Sequence, residues 1–211
     1  MTQTAATEPA SGPSAGRAKI LLLGLAALLL TLAPTLVRAL MAPAAPQVFG
    51  HVPPFRLLDE RGAPVTADAM LGHATVVDFI FTRCTSSCPR LTQRMGELQT
   101  RLAQAKSRAR LVTISVDPEN DTPPVLAAYA AAAHADPARW SFLTGQAQDV
   151  QSIVVSGFKV AAAKQARGAA DYDVIHGDWL VLVDAHGDIR GYFTASEPKD
   201  LDAILQAMRG I

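Results

Sequence analysis

The chain has two cysteines among its 211 residues, and both stand in one stretch, FIFTRCTSSCPR (Phe79–Arg90), as Cys84 and Cys88. A run of β-type residues precedes them and a run of helix-type residues follows, so they sit where a strand feeds a helix. A helix N-terminus presents unpaired N–H groups and a partial positive charge, which favour thiolate over thiol. Thiolate is both a nucleophile and a metal ligand. The i, i+4 spacing brings both sulfurs to one side of a first helical turn, close enough for a disulfide or for two bonds to one ion. A purely structural disulfide here would close a ring of about five residues and remove only roughly 2 kcal/mol of unfolded-chain entropy, a gain that a domain of this size does not need. Two inert core cysteines fit poorly with Thr85, Ser86 and Ser87 between them, which is a polar loop composition. A redox pair and a metal site remain, and the spacing alone does not choose between them.

The surrounding pattern supplies the elements that must hold this turn. Phe55–Leu58 and Val65-Thr66 flank DERGAP and predict a small hairpin. ATVVDFIFT (Ala74–Thr82) is a continuous apolar run rich in β-branched and aromatic residues, the pattern of a buried central strand. From Pro89, itself tolerated in a first turn, Leu91, Met95, Leu98 and Leu102 recur at helical spacing. RLVTISVDP (Arg110–Pro118) predicts a second buried strand, so strand, helix and strand make a right-handed parallel unit. A capped helix from Asp121-Thr122-Pro123 to about His134, a short strand Trp140–Leu143 and a helical piece Ala147–Val155 follow. Lys159–Val174 reads as an alanine-rich loop. Trp179–Asp184, the turn AHGD and Ile189–Phe193 predict an antiparallel hairpin, and Glu197–Arg209 a closing helix. This order is that of a thioredoxin-like α/β sandwich with a central mixed sheet.

In that architecture the loop before Trp179–Asp184 faces the cysteine turn across the end of the sheet. It carries His176, in DYDVIHGDWLVLVD. Oxidoreductases of the thioredoxin type resemble one another in having a cis proline there, whereas this chain has no proline between Pro137 and Pro198. Two soft thiolates with one imidazole suit Cu(I), or in another geometry Cu(II), better than hard cations. DFIFTRCTSSCPRLTQRMGELQ, LVTISVDPENDTP, WSFLTG and the histidine before LVLVDAHGDIRGYF together resemble the Sco/SenC family of copper proteins, over roughly Phe49–Met208. The resemblance implies a membrane-anchored, thioredoxin-like copper metallochaperone or thiol reductant that assists assembly of the dinuclear copper centre of cytochrome oxidase. It implies Cys84, Cys88 and His176 as copper ligands and places Asp117 of SVDP at an acidic position near the site. The copper-accepting subunit of the oxidase, other copper chaperones and thiol reductants are the partners it implies. Many members have proline where Thr85 stands, serine where Gly177 follows the histidine, and Asp-Pro where Asp184-Ala185 stands; none of these departures removes a ligand.

Other polar residues have plainer readings. His51, His73, His134 and His186 fall in tether, loop, helix end and hairpin turn, where a histidine is ordinarily solvated. Asp117 either stabilises the site electrostatically or caps the turn at Pro118. Asp78 interrupts an apolar strand, where a buried carboxylate is costly unless paired; it either tunes the thiols from beneath or points to solvent at a sheet edge. Met95, on the apolar face of its helix, reads as core, and Trp140 and Trp179 as packing.

The remaining sequence sets the compartment. Lysine plus arginine and aspartate plus glutamate number 19 each, so no charge field favours nucleic acid. After a polar tail (1–19), Ile20–Val37 carries no charged residue, a run of about 18 residues that can just span a bilayer core. It is longer than the ~7–15 residues of a signal h-region, which favours an uncleaved anchor at 20–40 over a cleaved signal segment. Arg17 and Lys19 before it place the N-terminus in the cytoplasm, giving a single-pass protein of the inner membrane with its domain in the periplasm or an equivalent exported space. Residues 41–54 read as a proline-rich tether, and 55–211 as one domain of a size that needs no stapling. The class alternative to a metallochaperone is a thiol:disulfide oxidoreductase in which Cys84 attacks and Cys88 resolves. A thiol peroxidase would need an arginine and a threonine around the attacking sulfur, for which Thr82 and Arg83 are a nominal match.

Overall fold

A computed structural model describes residues 47–160 and 178–211, with the backbone course of 162–166 and 172–176. In chain order the strands are β1 (Gly50–His51), β2 (Arg56–Asp59), β3 (Pro64–Thr66), β4 (Thr75–Ile80), β5 (Arg110–Ser115), β6 (Trp140–Thr144), β7 (Ala162–Ala166), β8 (Tyr172–His176), β9 (Trp179–Val183) and β10 (Asp188–Thr194). The helices are α1 (Cys88–Gln104), α2 (Pro123–Ala132), α3 (Ala147–Gln151) and α4 (Pro198–Ala207).

β4 is buried along its whole length because it has a partner on each edge and cover on both faces. It runs parallel to β5, which runs parallel to β6, and antiparallel to β9, with Val77 opposite both Val112 and Val181. The eight-stranded mixed sheet has the order β1-β10-β9-β4-β5-β6-β2-β3, while β7 and β8 pair separately. The two right-handed crossovers put α1 and α2 on one face, where Thr92 and Tyr129 join them through their hydroxyls at 2.7 Å. α1 buries Leu91, Met95, Leu98 and Leu102, the residues its periodicity singled out. On the other face Phe158 packs edge-on against Phe79, ring centres 5.3 Å apart. The thioredoxin-like mixed sandwich expected from the element order is the one observed.

Several boundaries differ from the sequence reading. The tether does not extend to Pro54, since Gly50 and His51 already pair with Ile189 and Asp188 at the sheet edge; a two-residue strand carries no periodicity to detect. Residues 162–166 and 172–176, read as loop, are strands paired with each other, although AAKQA lacks the β-branched composition that signals one. The helical piece after Ala147 continues as a wider π-type turn over Ser152–Gly157. α2 begins after Thr122 as expected, but the Thr122 side chain makes no capping bond. Asp78 is wholly buried in the central strand, so the solvent-edge alternative for it is wrong. The anchor at 20–40 and the tail at 1–19 lie outside the described residues, among which no helix is long and apolar enough to cross a membrane.

Candidate functional site

The cysteine turn leaves the C-terminal end of β4. Cys84 N–H donates to the Phe81 carbonyl at 3.1 Å, closing the turn, and Leu91 N–H donates to the Ser87 carbonyl at 3.0 Å as the helix begins. Ser87 gives α1 no side-chain cap. A sulfur takes that place: Cys88 N–H donates to Cys84 Sγ at 3.4 Å, and the Ser86 hydroxyl lies 3.5 Å from the same atom. The helix therefore offers one of its first N–H donors to Cys84. No disulfide joins the pair.

The two thiols are unequal. Burial opposes the charged form at Cys84, but hydrogen bonds from the Cys88 thiol, the Ser86 hydroxyl and the backbone N–H groups of Cys88 and Ser86 outweigh it and hold the group below the usual thiol range. Cys88 is fully buried, and that burial, together with its thiol's donation to Cys84, pushes it well above that range. Cys84 is thus the more acidic thiol of the pair and Cys88 the one that holds its proton more tightly.

Two buried carboxylates from the loop after β5 grip the cysteine turn, and one of them was read in the sequence only as part of a helix cap. Asp121 accepts the Thr82 N–H at 3.0 Å, the Thr82 hydroxyl at 2.6 Å and the Ser115 hydroxyl at 2.5 Å. Asp117 accepts from Arg83 Nη2 at 3.1 Å and from the Asn120 side-chain amide at 3.1 and 2.9 Å. Asp117 therefore acts on the cysteine loop itself. Thr82 and Arg83 direct these side-chain bonds to carboxylates, a different use from the one a peroxidase would require. The signal for Asp121 was a second aspartate four residues after Asp117 in SVDPENDTP, a spacing that shows its value only once the loop is folded.

Beneath the turn, Asp78 accepts the Thr113 hydroxyl at 2.5 Å, and Thr113 in turn accepts Trp140 Nε1–H at 2.8 Å. Its second carboxyl oxygen has no partner. Burial pushes this carboxyl up to about 7, against the lowering effect of the Thr113 hydroxyl, and its charge adds to the upward push on Cys88.

Cys84 and Cys88 are brought together as the sequence predicted. The backbone of His176 ends β8, opposite Ala162; its side chain lies outside the described residues. The chain just after it is fixed to the cysteine helix, because Arg90 Nη2 donates to Asp178 Oδ2 at 2.5 Å. Asp178 is two residues beyond His176 and Arg90 two beyond Cys88. Since β9 runs antiparallel to β4, its first residue lies toward the end of β4 from which the cysteine turn departs. Among the described residues no group of three His, Cys, Asp or Glu is disposed to hold a metal ion. The other histidines have local partners or lie away from the cysteines: His51 binds Asp188 at 3.0 Å, His73 the Leu71 carbonyl at 2.8 Å, and His186 approaches Asp184 at 3.9 Å. Met95 and Trp140 are core, while Trp179 is partly exposed.

A sequence profile of the SCO1/SenC family matches residues 44–211. The chain belongs to this family. It is 32% identical over 160 residues to the SCO1 protein homolog of Bacillus subtilis, covering 75% of this chain and 81% of that protein. Among solved structures, the Sco-family chain is similar to BsSco, described with a disulfide switch and as a member of the Sco family of cytochrome c oxidase assembly proteins (31% identity, TM-score 0.67, 78% of this chain and 94% of that one). It is also similar to Bradyrhizobium japonicum ScoI with copper bound (25% identity, TM-score 0.67, 77% and 100%).

Proposed function

We propose that this Sco-family protein is a copper metallochaperone that carries copper on Cys84, Cys88 and His176 and assists assembly of a copper centre in cytochrome c oxidase. The observation that carries this reading is the Arg90–Asp178 ion pair, which ties the segment following His176 to the helix that begins at Cys88. Copper is the cargo. Two sulfurs and an imidazole match its softness, and the Cys84 thiol, held below the usual thiol range by its hydrogen bonds at the helix N-terminus, gives up its proton for the ion more readily than Cys88. Cys88 surrenders its proton when the ion enters, and an acceptor's thiolates then displace the ligands in turn. Oxidation of the pair to a disulfide by a partner disulfide, which takes up the two electrons and leaves as two thiols, would release the ion. Residues 20–40 serve as the membrane anchor and hold the domain on the exported side, facing the copper-accepting subunit of the oxidase.

Titration of the reduced full chain, in non-ionic detergent, with Cu(I) and Cu(II) against a competing chelator tests this. One tightly bound copper is expected, lost in Cys84→Ser and weakened in His176→Ala. Arg90→Ala should weaken copper binding while costing less than about 1 kcal/mol of stability, as expected for a half-exposed pair. Unchanged tight binding in His176→Ala would sink the three-ligand arrangement.

The inequality of the two thiols favours one second reading, a thiol:disulfide oxidoreductase. The Cys84 thiolate would attack a partner disulfide, forming a mixed disulfide and releasing one partner thiolate. Cys88, giving up its proton, would then attack Cys84 Sγ and release the second partner sulfur, so that the partner gains two electrons and the pair becomes the disulfide. Reduction of a disulfide substrate by the metal-free dithiol, with only weak and non-stoichiometric copper binding, would favour this reading over the first.

A further inference from the structure

The end of the sheet opposite the cysteines carries a second cluster. Arg110 opens β5, Arg139 immediately precedes β6, Arg108 stands two residues before β5, and His73 two before β4. The parallel topology brings the starts of these three strands side by side, so residues far apart in the chain converge. They line a cavity of about 250 Å³ with no acidic side chain in its wall.

Among the other described arginines six are neutralised by a carboxylate, while Arg56 and Arg209 are not. Arg61, Arg83, Arg90, Arg94, Arg101 and Arg190 each pair with an Asp or Glu carboxylate. Among the described residues, Arg108, Arg110 and Arg139 pair with none. Two of them are nonetheless held in place: Arg139 Nη1 donates to the Ser107 and Ala109 carbonyls at 2.8 and 3.0 Å, and Arg110 Nη1 donates to the Ala138 carbonyl. Bonding to neutral carbonyls fixes a guanidinium without neutralising it, and leaves its other N–H groups for a ligand. Asp136, the acid nearest in sequence, accepts the Ala138 N–H with its Oδ1. The outcome is a half-buried Arg139 and an exposed Arg110, each hydrogen-bonded to neutral carbonyls, with an exposed Arg108 beside them and a histidine on the rim.

We propose that this cavity is an oxyanion site that takes a phosphate group. Planar guanidinia with parallel donors match tetrahedral oxyanions in a way that carboxylate-quenched cations do not. The phosphate can belong to a soluble phosphate species or to a phospholipid headgroup, and the same chemistry serves both. The site is independent of the copper reading, since it lies at the other end of β4 and shares no residue with the cysteine turn.

Isothermal titration of the reduced full chain in non-ionic detergent, with inorganic phosphate and separately with the phosphodiester headgroup glycerophosphoglycerol, tests it. Saturable binding of one phosphate, weakened about tenfold in Arg108→Ala by loss of one charge-assisted contact and partly restored in Arg108→Lys, which keeps the charge but not the planar fork, supports the site with a soluble ligand. Tighter binding of the diester with the same variant dependence supports a lipid headgroup. No hydrogen bond holds the Arg108 side chain among the described residues, so Arg108→Ala should keep its unfolding midpoint. Absence of saturable binding by either probe, or equal affinity in Arg108→Ala, overturns the proposal.

Discussion

Replacing Asp78 by asparagine should make the protein more stable at neutral and alkaline pH, although it alters a fully buried residue of the central strand. The carboxyl stands at about 7 in the fold against 3.8 for an ordinary aspartate. Between those values the folded state holds a proton that the unfolded chain has released, so wild-type stability falls as pH rises through this window, by about 1.4 kcal/mol per unit and about 4 kcal/mol in all. Above the window the penalty is complete; below about pH 4 it is absent. The side chain introduced by Asp78→Asn does not titrate, its carbonyl can still accept the Thr113 hydroxyl, and its amide replaces an oxygen that has no partner. The variant should therefore lie within about 1 kcal/mol of wild type near pH 4, and exceed it by up to about 4 kcal/mol near pH 8. Urea unfolding of the reduced, metal-free chain in detergent at both pH values measures the difference. A stability gap between variant and wild type that does not change with pH would refute the reasoning, because it would mean that Asp78 ionises in the fold as it does in water.

The remaining predictions concern the turn itself. Ser86→Ala removes one of the donors that hold Cys84 low, so the pH at which Cys84 becomes half-reactive toward iodoacetamide should rise. If that profile stays where it is in wild type, the serine does not support the thiolate. Asp121→Ala strands the Thr82 N–H, the Thr82 hydroxyl and the Ser115 hydroxyl, which should cost about 3 kcal/mol in equilibrium unfolding. Asp121→Asn keeps two acceptor lone pairs and should cost less, so equal losses in the two variants would show that volume and not hydrogen bonding is at issue.

Much of the fold was legible because its strongest signals are local. The apolar run Ala74–Thr82 could only be a strand covered on both faces, and Leu91, Met95, Leu98 and Leu102 could only be one helical stripe. Elements without local signal were missed for the same reason. β1 is too short for a period, and β7 and β8 are strands through pairing and not through composition.

The sequence by itself determined which residues are candidates for chemistry: two thiols at a strand-to-helix junction and a late histidine preceding a strand, since residue type and spacing along the chain are all that such a reading needs. The difference between the thiols was a matter for the tertiary structure, because it depends on Cys84 capping α1 while Cys88 is sealed beneath it. So were the grip of Asp121 on Thr82, the bridge from Arg90 to Asp178 and the gathering of Arg108, Arg110 and Arg139. Each joins residues distant in sequence, through hydrogen bonds and charges whose strength depends on burial and approach, and neither quantity exists until the chain has folded.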